Sequence, residues 1–304
     1  MTSKRRLVQK SHFIPVSKDD TLHLKRIHRD PQGTPVFMLH GAIENGRIFY
    51  SESGKGLAPY LAGKGYDVYI ADLRGRGASR PRLNRSSHYG QTEAITEDIP
   101  ALLNAIIDLR GEVPQHWLAH SWGGVLLSSY LARFPGHRRL VKSLVYFGTK
   151  RSVRVRNLHR LLMIDVGWKW LFSLVVGIAG YLPADKLKVG SDNETAKSHY
   201  HSKQWVRTGP WVDPEDDFDY AFAIKQIKLP PAWYVAAKGD RCLGHPEDVR
   251  RFISEAGEQD YRFSVLSLEN GNLHDYGHID MLTHADAVND HFPMVADWLE
   301  KHKP

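Results

Sequence analysis

Ser121 stands in the frame Ala119-His120-Ser121-Trp122-Gly123, which matches the G-x-S-x-G pattern of a nucleophile elbow at every position but the first glycine. Residues 115–119 read as a buried strand and 123–134 as a helix, so the serine falls where one turns directly into the other. Such a junction strains the serine backbone and lifts its Oγ clear of the sheet. Strand and helix nearly touch there, so the positions two before and two after must be small. Gly123 meets that need, Gly124 adds slack, and Ala119 departs by a single methyl. The competing reading is a buried serine that merely caps the helix.

Further residues give the serine partners. His40-Gly41-Ala42 ends the apolar run 35–39, and the glycine lets backbone approach a ligand closely. The amides of Ala42 and Trp122 are then the expected donors to a developing oxyanion. Glu44 and Asn45 follow on the same loop, either touching substrate or simply solvated. Asp240, in Lys238-Gly239-Asp240 beyond the strand 232–237, is the expected acid that orients a histidine. Glu247 and Asp248 compete on spacing but fall in a helical pattern and are expected to face solvent. The loop after the strand 141–147 offers no carboxylate. His278, in Tyr276-Gly-His-Ile-Asp280, is the expected general base, with His274 (beside Asp275) as its rival. The chain order Ser, Asp, His favours His278 as that base over a surface histidine.

The elements that must position them alternate strand with helix. Strands are expected at 13–16, 22–27, 35–39, 66–71, 115–119, 141–147, 232–237 and 263–268. Helices are expected near 56–64, 92–109, 123–134, 246–256 and 285–302. This alternation predicts an α/β fold with a doubly wound, mostly parallel sheet. Residues 150–211 break it and are expected to form an inserted helical lid, with 1–149 and 212–304 as the core.

Composition narrows the field. With 42% hydrophobic and 25% charged residues in 304, the chain has ample material for a core. The net charge is +7, concentrated at Lys4-Arg5-Arg6 and along 138–160. No zinc-finger spacing, RNP-like aromatic motif or GxxG clamp accompanies it, so no nucleic-acid partner is expected. One cysteine, Cys242, rules out an intrachain disulfide or a cysteine metal cluster. No metal or cofactor is expected. The basic N-terminus lacks an apolar core of signal-peptide length, which favours a cytoplasmic location. The apolar tract 161–182 contains Asp165 and Lys169; its clean part, 171–182, is too short to cross a bilayer.

Taken together, these pieces resemble the α/β-hydrolase superfamily over most of the chain outside 150–211. Asp72-Leu-Arg-Gly-Arg-Gly-Ala-Ser79 looks like the DxRGxGxS turn common after its fourth strand, where glycines close the turn and arginines anchor loops. Thr96-Glu-Asp-Ile-Pro-Ala101 and Gly277-His-Ile-Asp-Met281 resemble the acid-lipase-like branch. The resemblance implies Ser121 as nucleophile, Asp240 as acid and His278 as base, with Ala42 and Trp122 supplying oxyanion amides. Related dehalogenases and epoxide hydrolases carry aspartate at the elbow; serine favours acyl transfer.

The expected function is therefore a serine hydrolase of a small apolar ester or acyl substrate, lipase- or esterase-like. A thioesterase, or an amidase such as an aminopeptidase, uses the same residues, and a non-catalytic binding protein of the same fold is the alternative from another class. The tryptophan-rich lid, preceded by Arg151, Arg154, Arg156 and Arg160, can either pack wholly on the core or rest on an anionic membrane surface.

Overall fold

The computed structural model describes residues 6–206, 209–257 and 259–303. Lys4 and Arg5 of the N-terminal basic cluster, and Arg207 and Thr208 of the expected lid, lie outside them.

Eight strands form one sheet. They are β1 (Val8–Pro15), β2 (Thr21–His28), β3 (Pro35–Leu39), β4 (Asp67–Asp72), β5 (Gln115–His120), β6 (Val141–Phe147), β7 (Ala232–Ala237) and β8 (Tyr261–Leu266). Their spatial order is β1-β2-β4-β3-β5-β6-β7-β8. From β4 onward neighbouring strands are parallel, while β1 and β2 form an antiparallel ribbon joined to β4. The chain leaves β3 toward one edge and returns to β5 on its other side. Open α/β sheets bind ligands at such a reversal, beyond the strands' C-terminal ends.

Burial explains why the central strands are continuous apolar runs. In β3, Phe37 and Leu39 face one core layer while Val36 and Met38 face the other, as the two-residue repeat of a strand requires. Trp117 and Ala119 of β5 join the first layer and Leu118 the second. The first layer is covered by the helical stretch 91–110, by Trp122–Arg133 and by Pro246–Glu255; the second by Leu57–Gly63 and Phe292–Lys301.

The edge strand β1, read as 13–16, spans Val8–Pro15, and three further elements differ from expectation. The predicted helix 285–302 is broken into a short turn, Ala285–Asn289, and the helix Phe292–Lys301. At the break Asp290 accepts hydrogen bonds from Asn272, the Leu273 N–H and Tyr276, and the His291 ring bonds the Met281 carbonyl. The last strand begins and ends two residues earlier than predicted, because Ser267 caps a turn over Leu268–Asn270. The apolar tract is not a 12-residue segment: it belongs to one unbroken helix, Leu158–Ala179, of 22 residues. Its length in residues and its composition suffice for a bilayer, contrary to the expectation.

That helix lies in the long connection from β6 to β7, with Ala196–Val206 following it. Its Ile164 is buried, whereas Leu158, Leu162, Val166, Trp170, Leu174 and Ile178 are exposed. These six recur every four residues and form an apolar stripe facing outward.

Candidate active site

Ser121 occupies the turn between β5 and the helix Trp122–Arg133. Its φ of 51° and ψ of −121° are a conformation that L-residues avoid and that costs about 1–3 kcal/mol. The backbone is pinned there by the Ser121 N–H bond to the Phe147 carbonyl, 2.7 Å. A Cβ at Gly123 would stand 2.5 and 2.6 Å from the carbonyl oxygens of His40 and Leu39, so helix and β3 tolerate only glycine there. Ala119 is fully buried in register between Leu39 and Tyr146. The serine side chain makes no capping hydrogen bond to the helix, which removes the helix-cap reading. Instead it lines a cavity of about 680 Å³.

His278 lines the same cavity. Its Nδ1 is 2.5 Å from Asp240 Oδ2, leaving Nε2 for the serine. Among the described residues no hydrogen bond joins Ser121 Oγ to that nitrogen; such bonds commonly tighten only when substrate binds. Asp240 follows β7 directly. The adjacent Gly239 N–H bonds the Tyr276 carbonyl at 2.8 Å, tying the acid's loop to the histidine's. Asp280 accepts the Gly277 N–H and steadies the turn around His278. Gly148 has φ 59°, and a Cβ on it would meet the His278 ring at 3.0 Å.

The charges are set by burial and by each other. Burial works to raise the Asp240 carboxyl, but His278, the Gly244 amide and Lys150 outweigh it and hold it down to about 2. Burial lowers His278 below its ordinary range; Asp240 pulls it back, while His120 and Lys150 push it further down. The ring is therefore a neutral base at neutral pH.

Ala42 and Trp122 both border this cavity. The Trp122 amide opens its helix, so it has no intrahelical acceptor and is available to an anion. Asp72 supports the loop carrying Ala42. It accepts the Gly46 N–H at 2.7 Å and the Ala78 N–H at 2.9 Å, and Arg74 beyond it bonds Asp98.

The rival residues go elsewhere. His274 pairs with Asp286 at 2.7 Å, and Asp275 accepts the Leu268 N–H. Glu247 is exposed, but Asp248 is buried, which corrects the expectation that it faces solvent. Asp248 accepts the backbone N–H groups of Arg154 and Val155 and so anchors the start of the β6–β7 connection.

Sequence reasoning missed one pair. Glu44 is buried, not solvated: its Oε1 accepts the Gly41 N–H at 2.7 Å and faces His120 Nδ1 at 2.6 Å. His120 Nε2 in turn bonds the His278 carbonyl at 2.9 Å. Both ring nitrogens meet acceptors, an arrangement that favours the doubly protonated ring. Burial favours neutrality, yet Glu44 raises His120 above its ordinary range, and His120 holds Glu44 below its own despite burial. The pair straps the Ala42 loop to the elbow and to the His278 loop. Its signal in the sequence was a histidine beside the serine and a carboxylate three residues after Gly41. Asn45 bonds Asp192 at 2.7 Å.

Comparison with known proteins agrees with this architecture. Residues 34–177 match the family model described as the alpha/beta hydrolase fold. Over that stretch, just under half of the chain, the protein is similar to proteins of the alpha/beta hydrolase fold. It is 30% identical over 123 residues to a probable lysophospholipase L2 of Haemophilus influenzae, covering 40% of this chain and 38% of that protein. It is 25% identical over 157 residues to gastric triacylglycerol lipase of Rattus norvegicus, covering 49% and 39%. The matches thus span under two-fifths of those relatives' lengths. Among solved structures, a putative lipase from Acinetobacter baumannii superposes with a TM-score of 0.62 at 16% identity, covering 96% of this chain and 93% of that one. A putative aryl esterase from Burkholderia cenocepacia gives 0.61 at 15%, covering 96% and 99%.

Proposed function

We propose that the protein is a serine hydrolase that cleaves a hydrophobic carboxylic ester through an acyl-enzyme. The observation that carries this reading is a strained, uncapped Ser121 opening into the same cavity as a His278 ring bound to a buried Asp240. Ser121 Oγ attacks the ester carbonyl while His278 Nε2 takes its proton, and Asp240 stabilises the imidazolium. The amides of Ala42 and Trp122 receive the oxyanion. Collapse expels the alcohol with the proton from His278, and water repeats the sequence to release the acid. Ile164 and Trp168, on the inner side of Leu158–Ala179, line the cavity and suit an acyl chain, so this helix acts as the lid. No cofactor enters the scheme. A fluorophosphonate probe tests it: the folded protein is expected to label, and Ser121→Ala not to. A folded protein that fails to label would favour a non-catalytic binding role.

The strap has a measurable part. Glu44→Gln is expected to lower turnover roughly tenfold, about 1.4 kcal/mol of transition-state stabilisation. Without the carboxylate His120 loses its extra proton, and the loss of that cation beside His278 outweighs the loss of Glu44's own charge. His278 then protonates more readily, so the acidic limb of the kcat/KM profile moves to higher pH. An unmoved limb would reduce the pair to packing.

The outward apolar stripe suits a lipid surface. Trp170 and Ile178 are each 77% exposed. Of the four preceding arginines, Arg151 is buried against Glu255 and Arg160 pairs with Asp165, leaving Arg154 and Arg156 on the surface. Lys186 and Lys188 are exposed as well. Co-sedimentation with anionic vesicles is expected, weakening with added salt and falling several-fold in Trp170→Glu. Binding indifferent to both would count against this surface.

A further inference from the structure

Lys150 lies three residues beyond the end of β6 and lines the cavity shared by Ser121 and His278. It is only 6% exposed. Its neighbour Arg151 is fully engaged, bonded to Glu255 and to the carbonyls of Trp205 and Gly209. Lys150 has no such anchor. Among the described residues no hydrogen bond or ion pair within 4 Å reaches its amine. The nearby carboxylates Asp240, Asp248 and Glu44 act on it only at longer range, and each has closer partners of its own. Burial pushes the amine below its ordinary range, with those carboxylates pulling the other way.

A lysine this buried and without a protein partner is costly to charge. Such a group persists where something pairs with it during function. Of the other charges on the cavity wall, Arg47 pairs with Glu52 at 2.8 Å, Glu44 is held by His120, and Asp185 and Lys188 stand exposed. Much of the rest of the wall is apolar, including Val153, Ile164, Trp168 and Leu243.

We infer that the site takes an anionic amphiphile: an ester whose apolar chain fills the cavity and whose carboxylate or phosphate group pairs with Lys150. This deepens the hydrolase reading above and rests on it for the word ester, but not for the binding. A phosphate headgroup and a carboxylate share the chemistry, and the test separates them.

Binding of n-decyl phosphate, n-decanoate and n-decanol is followed by the fluorescence of the intact protein, whose Trp122 and Trp168 line the cavity. The expected result is decyl phosphate binding roughly tenfold to a hundredfold tighter than decanol, the worth of a charge-assisted hydrogen bond. That preference is lost in Lys150→Met and kept in Lys150→Arg. Equal gains for decanoate and decyl phosphate mean either anion serves; a gain for phosphate alone assigns a phosphate headgroup. A gain confined to decanoate assigns a carboxylate group. A wild type that binds decanol equally well, or a Lys150→Met protein that keeps the preference, overturns the inference. Methionine is expected to raise the unfolding temperature by removing the buried charge; if that variant misfolds, Lys150→Gln replaces it. Because no turnover is needed, a protein inert toward esters would sink the hydrolase reading while leaving this measurement standing.

Discussion

Ser121→Ala is expected to remove roughly five to six orders of magnitude of ester turnover, the scale seen when a serine nucleophile is deleted from an intact site. The residue left behind can bind substrate and present oxyanion donors, so a small rate above the uncatalysed reaction remains. Stability separates this loss from misfolding. The serine makes no cap bond, so its Oγ contributes little to the fold and Ser121→Ala is expected to melt close to the wild type. Its backbone, at φ 51°, stays strained with any Cβ present. Ser121→Gly relieves that strain, against the greater freedom glycine gives the unfolded chain. It is expected to be just as inactive and to unfold at no lower temperature than Ser121→Ala. A glycine variant clearly less stable than the alanine one would mean the elbow stores no strain, and the site would lose its main physical argument. Kinetics on an activated ester, with thermal unfolding of the three proteins, decides it.

The strands buried on both faces were legible because burial writes itself into composition. Val141–Phe147 and Ala232–Ala237 have the predicted limits to the residue, being flanked on both sides by strands and covered by helices. The edge strand β1 was read as 13–16 but spans Val8–Pro15, because most of its side chains are exposed or half-exposed and nothing forces an apolar pattern. The break at Asp290 was invisible for a different reason. It is fixed by contacts to residues 272–276, far from the local helical period. Within the candidate site, Ser121 and His278, which the fold brings to one cavity, stood out because the proposed chemistry demands particular neighbours, small residues above all. Glu44, His120 and Lys150 could not, since their roles depend on which side chains the fold brings together. A glutamate on a loop and a lysine after a strand look solvated until the sheet reversal at β3 and β5 buries them.

Asp240→Asn tests the acid assignment, and its expected effect is the next largest: a fall of roughly 10⁴ in turnover at neutral pH. The carboxylate accepts the proton on His278 Nδ1 across 2.5 Å, which directs the lone pair of Nε2 toward the serine. An asparagine amide can instead donate to Nδ1. The ring proton then moves to Nε2, and the base is blocked by its own hydrogen. The pH dependence gives the assignment a second, independent edge. Asp240 counteracts the effect of burial on His278; without it the ring resists protonation more strongly. The acidic limb of whatever activity remains is therefore expected at lower pH than in the wild type, opposite to the shift from Glu44→Gln. Stability should move with it. The Asp240 carboxyl sits at about 2 in the fold against about 3.9 unfolded, so its contribution is full above the unfolded value and fades as pH falls toward 2. Asp240→Asn should lack that portion of the acid transition. Asp248→Asn makes the opposing case: it replaces one of the two oxygens that accept the Arg154 and Val155 N–H groups with an amide NH2, and should cost stability while leaving the limb in place. If Asp240→Asn were nearly silent and Asp248→Asn moved the limb, the acid would be the wrong residue.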